Sequence, residues 1–365
     1  MAFESLRKKL LNFCLLFGGD WSMIWRFVSS GISGVLALLR FAAIVGYWNF
    51  FSSMLKTLWY RPQIRFFDYK GLPIPILGTK SVDRYMELMR EDLANFKTRD
   101  DDIFVVAFGK SGHHWSYDFI NMLLRGNLEL DNIVKEAYFI EFLLPAADGM
   151  SSYDRLPSPR MIFTHFHADA LPREVFTKKR KIIRLIRNPK DVAVSAFYHR
   201  KALPKLSGTA SWDDYIETMM DVIEGKKESN ELFLRQKSDW FTYELDSEEK
   251  LNHLDHSIVL YYEDLKEDMV AQLKKLSAFL GKQYNEEFLE QIAEKTNLSY
   301  VKKHKDLSMH DIVVKEGSLY RKGVIGDWKN HFTAEQARRF DAIIEAKMKN
   351  CSIMANIRYE PKEAY

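Results

Sequence analysis

The chain has 365 residues, 47% hydrophobic and 28% charged, with a formal net charge of +3. Aromatic residues at 14% exclude a disordered chain, and the near-balance of charge excludes a globally basic nucleic-acid binder. Two cysteines, Cys14 and Cys351, stand near opposite ends. They supply neither a disulfide framework nor a cysteine zinc cluster, which fits a reducing compartment.

Residues 1–65 form a distinct N-terminal extension. Arg7, Lys8, Lys9, Arg26, Arg40, Lys56, Arg61 and Arg65 face only Glu4 and Asp20, a balance of +6. Between Phe27 and Leu55 the only charge is Arg40, and each uncharged half is too short to span a bilayer alone. Arg26, Ser33 and Arg40 recur every seven residues, on one helical face. The segment reads as an interfacial helix or hairpin on an acidic membrane surface. A spanning helix carrying Arg40, or a helix packed on the protein itself, are the alternatives. Residues 7–19 imitate a signal-peptide core, but no small-residue cleavage site follows, so secretion is not expected.

From 66 to 365 the pattern is that of one α/β domain with a central parallel sheet flanked by helices. A turn-rich lead-in, Lys70-Gly71-Leu72-Pro73-Ile74-Pro75, precedes it. Short apolar runs at 103–108, 161–164, 181–186 and 257–262 predict buried strands. Helices are predicted at 82–96, 115–125, 190–201, 211–225 and 265–280.

The chemistry-bearing residues cluster where those strands end. The first strand runs into Gly109-Lys110-Ser111-Gly112-His113-His114-Trp115, a glycine-containing loop opening a helix, which suits an anion. It is not a Walker A loop, because Phe104 stands where that pattern needs glycine. The second strand delivers His165 and His167, residue types suited to general base work near neutral pH. No Cys or carboxylate completes a convincing metal set with them, so no metal is expected. At the end of the third strand Arg187 reaches the rim where α/β sheets bind ligands, and Ser195 follows two helical turns on. Finally, Arg321-Lys322-Gly323-Val324-Ile325-Gly326-Asp327-Trp328-Lys329 reads as a mobile basic clamp for a phosphate.

Taken in order, these segments resemble the cytosolic sulfotransferase family. Phe108–Trp115 parallels its Tyr-Pro-Lys-Ser-Gly-Thr-Thr-Trp loop, and Phe163–His167 its Lys-Thr-His-Leu-Pro segment. Arg187–Ser195 matches Arg-Asn-X-Lys-Asp-X-X-X-Ser in full. Tyr262-Glu263-Asp264 and Arg321–Lys329 match two further stretches. The resemblance implies a P-loop-like fold and the cosubstrate 3′-phosphoadenosine 5′-phosphosulfate (PAPS). It further implies transfer of the sulfuryl group to a hydroxyl or amine of a small acceptor in the cytoplasm, without nucleic acid or metal.

By the same resemblance, His165, Lys110 and Ser195 are the expected catalytic residues. Lys110, Ser111, Gly112, His113, His114 and Trp115 would hold the phosphosulfate end. Arg187, Ser195, Arg321, Lys322 and Gly323 would hold the 3′-phosphate, while Trp115, Tyr262, Ser299 and Tyr300 would frame the adenosine. Aromatic and Met residues around 138–153 and 197–245 suggest an apolar acceptor pocket. Several positions depart from the family pattern: Gly109 for proline, His113 and His114 for two threonines, Phe163 for lysine and His167 for proline. Ala334 and Arg338 replace the usual valine and glutamate of the dimer segment, so a family-type homodimer is not expected. Alternatives are a PAPS-binding, membrane-associated protein with weakened turnover and a P-loop-like nucleotide kinase.

Overall fold

The computed structural model describes residues 66–69, 72–75, 91, 93, 95–130, 138–141, 153–154, 156–202, 211–228, 239–304 and 320–361. The N-terminal extension 1–65 lies outside the described residues. So do most of the predicted helix 82–96 and parts of the aromatic-rich stretches around 138–153 and 197–245.

A short antiparallel pair, β1 (Phe66–Tyr69) and β2 (Leu72–Pro75), occupies the turn-rich lead-in, with Tyr69 opposite Leu72. The main sheet contains β3 (Ile103–Ala107), β4 (Met161–Thr164), β5 (Lys181–Ile186) and β6 (Ser257–Tyr261). All three pairings are parallel, in the order β4-β3-β5-β6. Every residue of β3 and β4 is buried, as expected where β-branched and aromatic residues run on without alternation. The predicted strands are present, two of them one residue shorter than expected.

Helix α1 (His113–Arg125) follows β3, and the short α2 (Arg173–Thr177) precedes β5. After β5 come α3 (Pro189–Ala202), α4 (Trp212–Ile223) and α5 (Trp240–Leu251). The predicted helix 265–280 is two helices, α6 (Tyr262–Glu267) and α7 (Met269–Leu280). Asp268 leaves the helical conformation and its carboxylate caps the amide of Ala271, restarting the chain as an N-cap. Then follow α8 (Glu286–Lys295), α9 (Leu298–His304) and α10 (Ala334–Met348). Thr333 and Gln336 form the capping box that starts α10.

Two apolar clusters flank the sheet. The larger joins β3, β4 and β5 to α1, α7 and α8 through residues such as Val105, Phe119, Ile162, Leu273 and Ile292. The second gathers Ile186, Val194, Ile216, Phe241 and Ile343 from β5, α3, α4, α5 and α10. A bidentate pair of Arg160 with Asp102, at 2.7 and 2.5 Å and fully buried, ties the start of β4 to the start of β3. Among the described residues no helix is long and apolar enough to cross a membrane.

This topology places the site. The chain leaves β3 for β4 on one side and then returns to β5 on the other, so the carboxyl end of β3 is a switch point, where open α/β sheets bind ligands. Four parallel strands end at one rim, and the residues that follow them are the loop 108–112, His165, Arg187 and Tyr262.

Candidate functional site

The loop after β3 is built under strain. Lys110 adopts φ 71°, a left-handed conformation that a β-carbon disfavours. Gly112 adopts φ 118°, and a β-carbon there would sit 3.3 Å from the Tyr262 ring, so glycine serves both the turn and the close approach. Helix α1 then begins with no side-chain cap from Gly112 and no acidic residue in its first turn. Uncapped amides and the positive end of the helix dipole favour an anion there. Ser111 is buried and its Oγ has no hydrogen-bond partner among the described residues. A buried hydroxyl left unsatisfied in a strained loop suits a site whose partner is a ligand oxygen.

His165, directly after β4, is fixed on three sides. Its Nδ1 lies 2.7 Å from Glu141 Oε1, and its backbone N–H donates to the same oxygen at 3.0 Å. Its ring stacks on Phe139 (4.9 Å, 13°) and meets His113 edge-on (4.6 Å, 82°). His113, at the position of a family threonine, is buried, and its Nε2 has no hydrogen-bond partner among the described residues. Burial first, then its coupling to His165 and to Lys110, holds it well below its ordinary value, so it stays neutral. His199 on α3 is depressed in the same way, by burial and then by Lys110 and His165. The two effects bring Lys110, His113, His165 and His199 into one electrostatic neighbourhood. His114 contacts Phe139 at 6.1 Å. The second histidine of the β4 segment points elsewhere: His167 pairs with Asp246 at 3.7 Å and packs on Tyr243.

Around the carboxyl ends of β5 and β6, Tyr262 is the hub. Trp115 meets its ring at 5.3 Å, and the Arg187 guanidinium stands over it at 4.2 Å. Trp115 is itself fixed by donating Nε1–H to the Thr296 carbonyl at 2.9 Å. Arg187 donates to the Lys110 carbonyl at 3.3 Å, joining the third strand's rim residue to the first strand's loop, while its Nε has no hydrogen-bond partner among the described residues. Gly323, at φ 64°, completes the cluster, since a β-carbon there would meet Leu298 at 3.0 Å and the Tyr262 hydroxyl at 3.6 Å.

The basic segment expected to be mobile is pinned. Asp327 accepts from Arg321 at 2.5 Å and from Lys322 at 2.7 Å. Burial alone would raise Asp327, but hydrogen bonds from Lys322, Asn330 and Arg321 outweigh it and hold the carboxylate well below its usual range. Arg321 also stands 4.6 Å from the Tyr198 ring centre. Behind the clamp, Asp191 accepts from the amides of Gly326 (2.9 Å) and Trp328 (3.0 Å) and from Asn188 Nδ2 (3.0 Å). Glu263 accepts from the amide of Asn188 at 2.9 Å and from its Nδ2 at 3.3 Å. The third, fourth and fifth of the motif segments are therefore wired together by Asn188, Asp191 and Glu263, whose individual roles the sequence left unassigned.

Glu263 carries a measurable consequence. Burial, against hydrogen bonds from Asn188, raises it from 4.5 to about 7. Between those values the native state holds a proton that the unfolded state has released, so stability falls as pH rises through this window. The full drop is about 3 kcal/mol, from roughly 1.4 kcal/mol per unit. Glu263→Gln keeps an acceptor for Asn188 and is expected to remove that slope. Denaturant titrations of both proteins at pH 5 and 7.5 check it, and an unchanged slope in the variant would contradict it.

The other expected site residues are placed less centrally. Ser195 is half-buried on α3. Ser299 is exposed and its hydroxyl donates to Asn297 at 2.9 Å, while Tyr300 stacks on His304 at 4.1 Å. It is Leu298, their neighbour, that the structure brings against Gly323. Lys302 of the same helix reaches the Arg321 carbonyl at 2.9 Å. Glu141 is the main residue sequence reading passed over, since no motif segment contains it. Among the described residues, no three His, Cys, Asp or Glu side chains converge as a metal site requires.

Residues 100–352 match the model of the sulfotransferase domain. Mouse sulfotransferase 1B1 is 33% identical over 279 residues, covering 72% of this chain and 88% of the relative. Mouse sulfotransferase 1A1 is 30% identical over 289 residues, covering 76% and 94%. Among solved structures, mouse sulfotransferase SULT7A1 complexed with PAP, the desulfated 3′-phosphoadenosine 5′-phosphate, superposes with a TM-score of 0.61 at 29% identity, covering 80% of this chain and 98% of that one. Retinol dehydratase in complex with androsterone and PAP gives the same TM-score at 19% identity, covering 82% and 90%, a likeness of fold.

Proposed function

The chain belongs to the sulfotransferase family and uses PAPS, and from that premise we propose that it sulfonates a hydroxyl or amine of a small, apolar acceptor at the rim of the parallel sheet. The observation that carries this reading is the convergence of four strand ends. The strained Lys110 loop, His165, Arg187 and Tyr262 all follow strands that finish on the same edge.

PAPS supplies the sulfuryl group and departs as PAP. The residues fit such a ligand: the Ser111 hydroxyl is buried without a hydrogen-bond partner among the described residues, and glycine is required where the loop meets Tyr262. Lys110, Ser111, Gly112, His113, His114 and Trp115 hold the phosphosulfate end. Arg187, Ser195, Arg321, Lys322 and Gly323 hold the 3′-phosphate, and Trp115 and Tyr262, with Ser299 and Tyr300 at the periphery, frame the base. His165 takes the acceptor's proton, and Lys110 opposes charge growing on the leaving phosphate. Sulfuryl transfer, like phosphoryl transfer, rests on positioning and preorganised charge. Phe139, stacked on His165, and Phe163, edge-on to His113, support an acceptor with an apolar body. Neither a nucleotide kinase nor a silent PAPS-binding protein is favoured by these relatives.

The test incubates the full-length protein with sulfur-labelled PAPS and a panel of phenols, steroids, alcohols and amines. Label in an apolar acceptor with matching PAP release is the expected result. PAP release no greater with any acceptor than without one would overturn it. The apolar, basic segment 1–65 supports contact with an acidic membrane surface; co-sedimentation with anionic vesicles that is insensitive to salt, or absent, would count against that.

A further inference from the structure

We propose that Glu141 is a positioning residue for His165, forming with it a carboxylate–imidazole dyad that sets which nitrogen meets the acceptor. This rests on the reading of His165 as the base. Its origin lies in the backbone. Phe139 makes an isolated parallel bridge with Phe163 of β4, and continuing that register by two residues brings Glu141 beside His165. The pairing also explains why Phe139 stacks on the His165 ring.

The chemistry of the contact is directional. An ionised carboxylate only accepts hydrogen bonds, and one oxygen of Glu141 faces both the amide and Nδ1 of His165. The proton therefore resides on Nδ1, and Nε2 keeps the lone pair. Glu141 is buried, and its other oxygen has no hydrogen-bond partner among the described residues. The Tyr153 and Tyr243 phenols near it are raised, by burial first, and stay neutral. Among the described titratable groups, Glu141 and His113 contact His165 directly, and His199 and Lys110 share the same electrostatic neighbourhood. Burial keeps both histidines uncharged, and Glu141 is the carboxylate in direct contact with the His165 ring.

During transfer the acceptor O–H or N–H proton passes to Nε2 as the new bond to sulfur forms. The sulfur–oxygen bond to the departing nucleotide breaks, and its electron pair stays on the phosphate oxygen. Nothing is oxidised or reduced. The imidazolium that results lies against the Glu141 carboxylate, which stabilises it without rearrangement, as in acid–base triads.

The experiment compares full-length wild type, Glu141→Gln, Glu141→Asp and His165→Ala by kcat and KM across pH, by PAP affinity and by thermal melting. Glu141→Gln is nearly isosteric but uncharged. It is expected to lower kcat about ten- to a hundred-fold, to leave PAP affinity unchanged, and to move the acid limb of the kcat profile to lower pH. Glu141→Asp keeps the charge and is expected to return the acid limb toward its wild-type position. A Gln variant with wild-type kcat and acid limb would overturn the proposal. So would a loss of PAP binding and melting temperature that Asp fails to restore, since that marks a structural role. Full activity in His165→Ala would instead remove the base on which the dyad depends, and the two failures are thereby told apart.

Discussion

Replacing His165 by alanine is expected to lower kcat by about 10²–10⁴, the usual worth of a positioned general base, with PAP affinity unchanged. The size of the effect follows from how firmly the ring is held. Glu141 fixes Nδ1 at 2.7 Å, Phe139 stacks on one face and His113 closes an edge. Such a base is oriented before the acceptor arrives, so its loss removes an interaction expressed mainly in the transition state. The nucleotide contacts proposed above, by contrast, come from the loops after β3, β5 and β6 and from the Arg321–Gly323 segment. Steady-state kinetics together with PAP titration of the variant separate the two. A KM effect with kcat intact would show that His165 binds rather than reacts.

Arg187→Ala is expected to weaken PAP about ten- to a hundred-fold, from the 1.5–3 kcal/mol typical of a hydrogen bond to a charged group. Arg187 is held over Tyr262 at 4.2 Å and against the Lys110 carbonyl at 3.3 Å, so its orientation is set before any ligand binds. Its removal also takes the cation from the ring that a nucleotide base would share. Thermal melting of the ligand-free variant is expected to change little beside the loss of affinity. If PAP affinity stayed at the wild-type value, Arg187 would be no part of the phosphate site.

Much of this candidate site is legible in the sequence. Continuous apolar runs located all four strands of the parallel sheet, because strands buried on both faces need no alternation. Motif order then assembled Lys110, His165, Arg187 and Tyr262, since each directly follows one of those strands. What sequence could not supply was the wiring behind them. Glu141 meets His165 across 24 residues through a single parallel bridge, a contact with no local signature. Asp327 turned an apparently loose basic run into a pinned clamp, because a lone acid among cations reads the same whether it neutralises or merely intervenes. Asp268 divided a helix that periodicity reads as continuous, its carboxylate doing the work of an N-cap. Ser299 and Tyr300, placed by resemblance alone, engage Asn297 and His304 instead of the Tyr262 cluster.

The central claim is that this rim is built for a nucleotide bearing a 3′-phosphate. Calorimetric titration of the full-length protein with PAP and, separately, with ADP, which lacks that phosphate, tests it most directly. One PAP per chain is predicted, with ADP binding far more weakly and the difference shrinking in Arg187→Ala. Equal affinity for PAP and ADP, or no PAP binding by a protein shown to be folded, would contradict it.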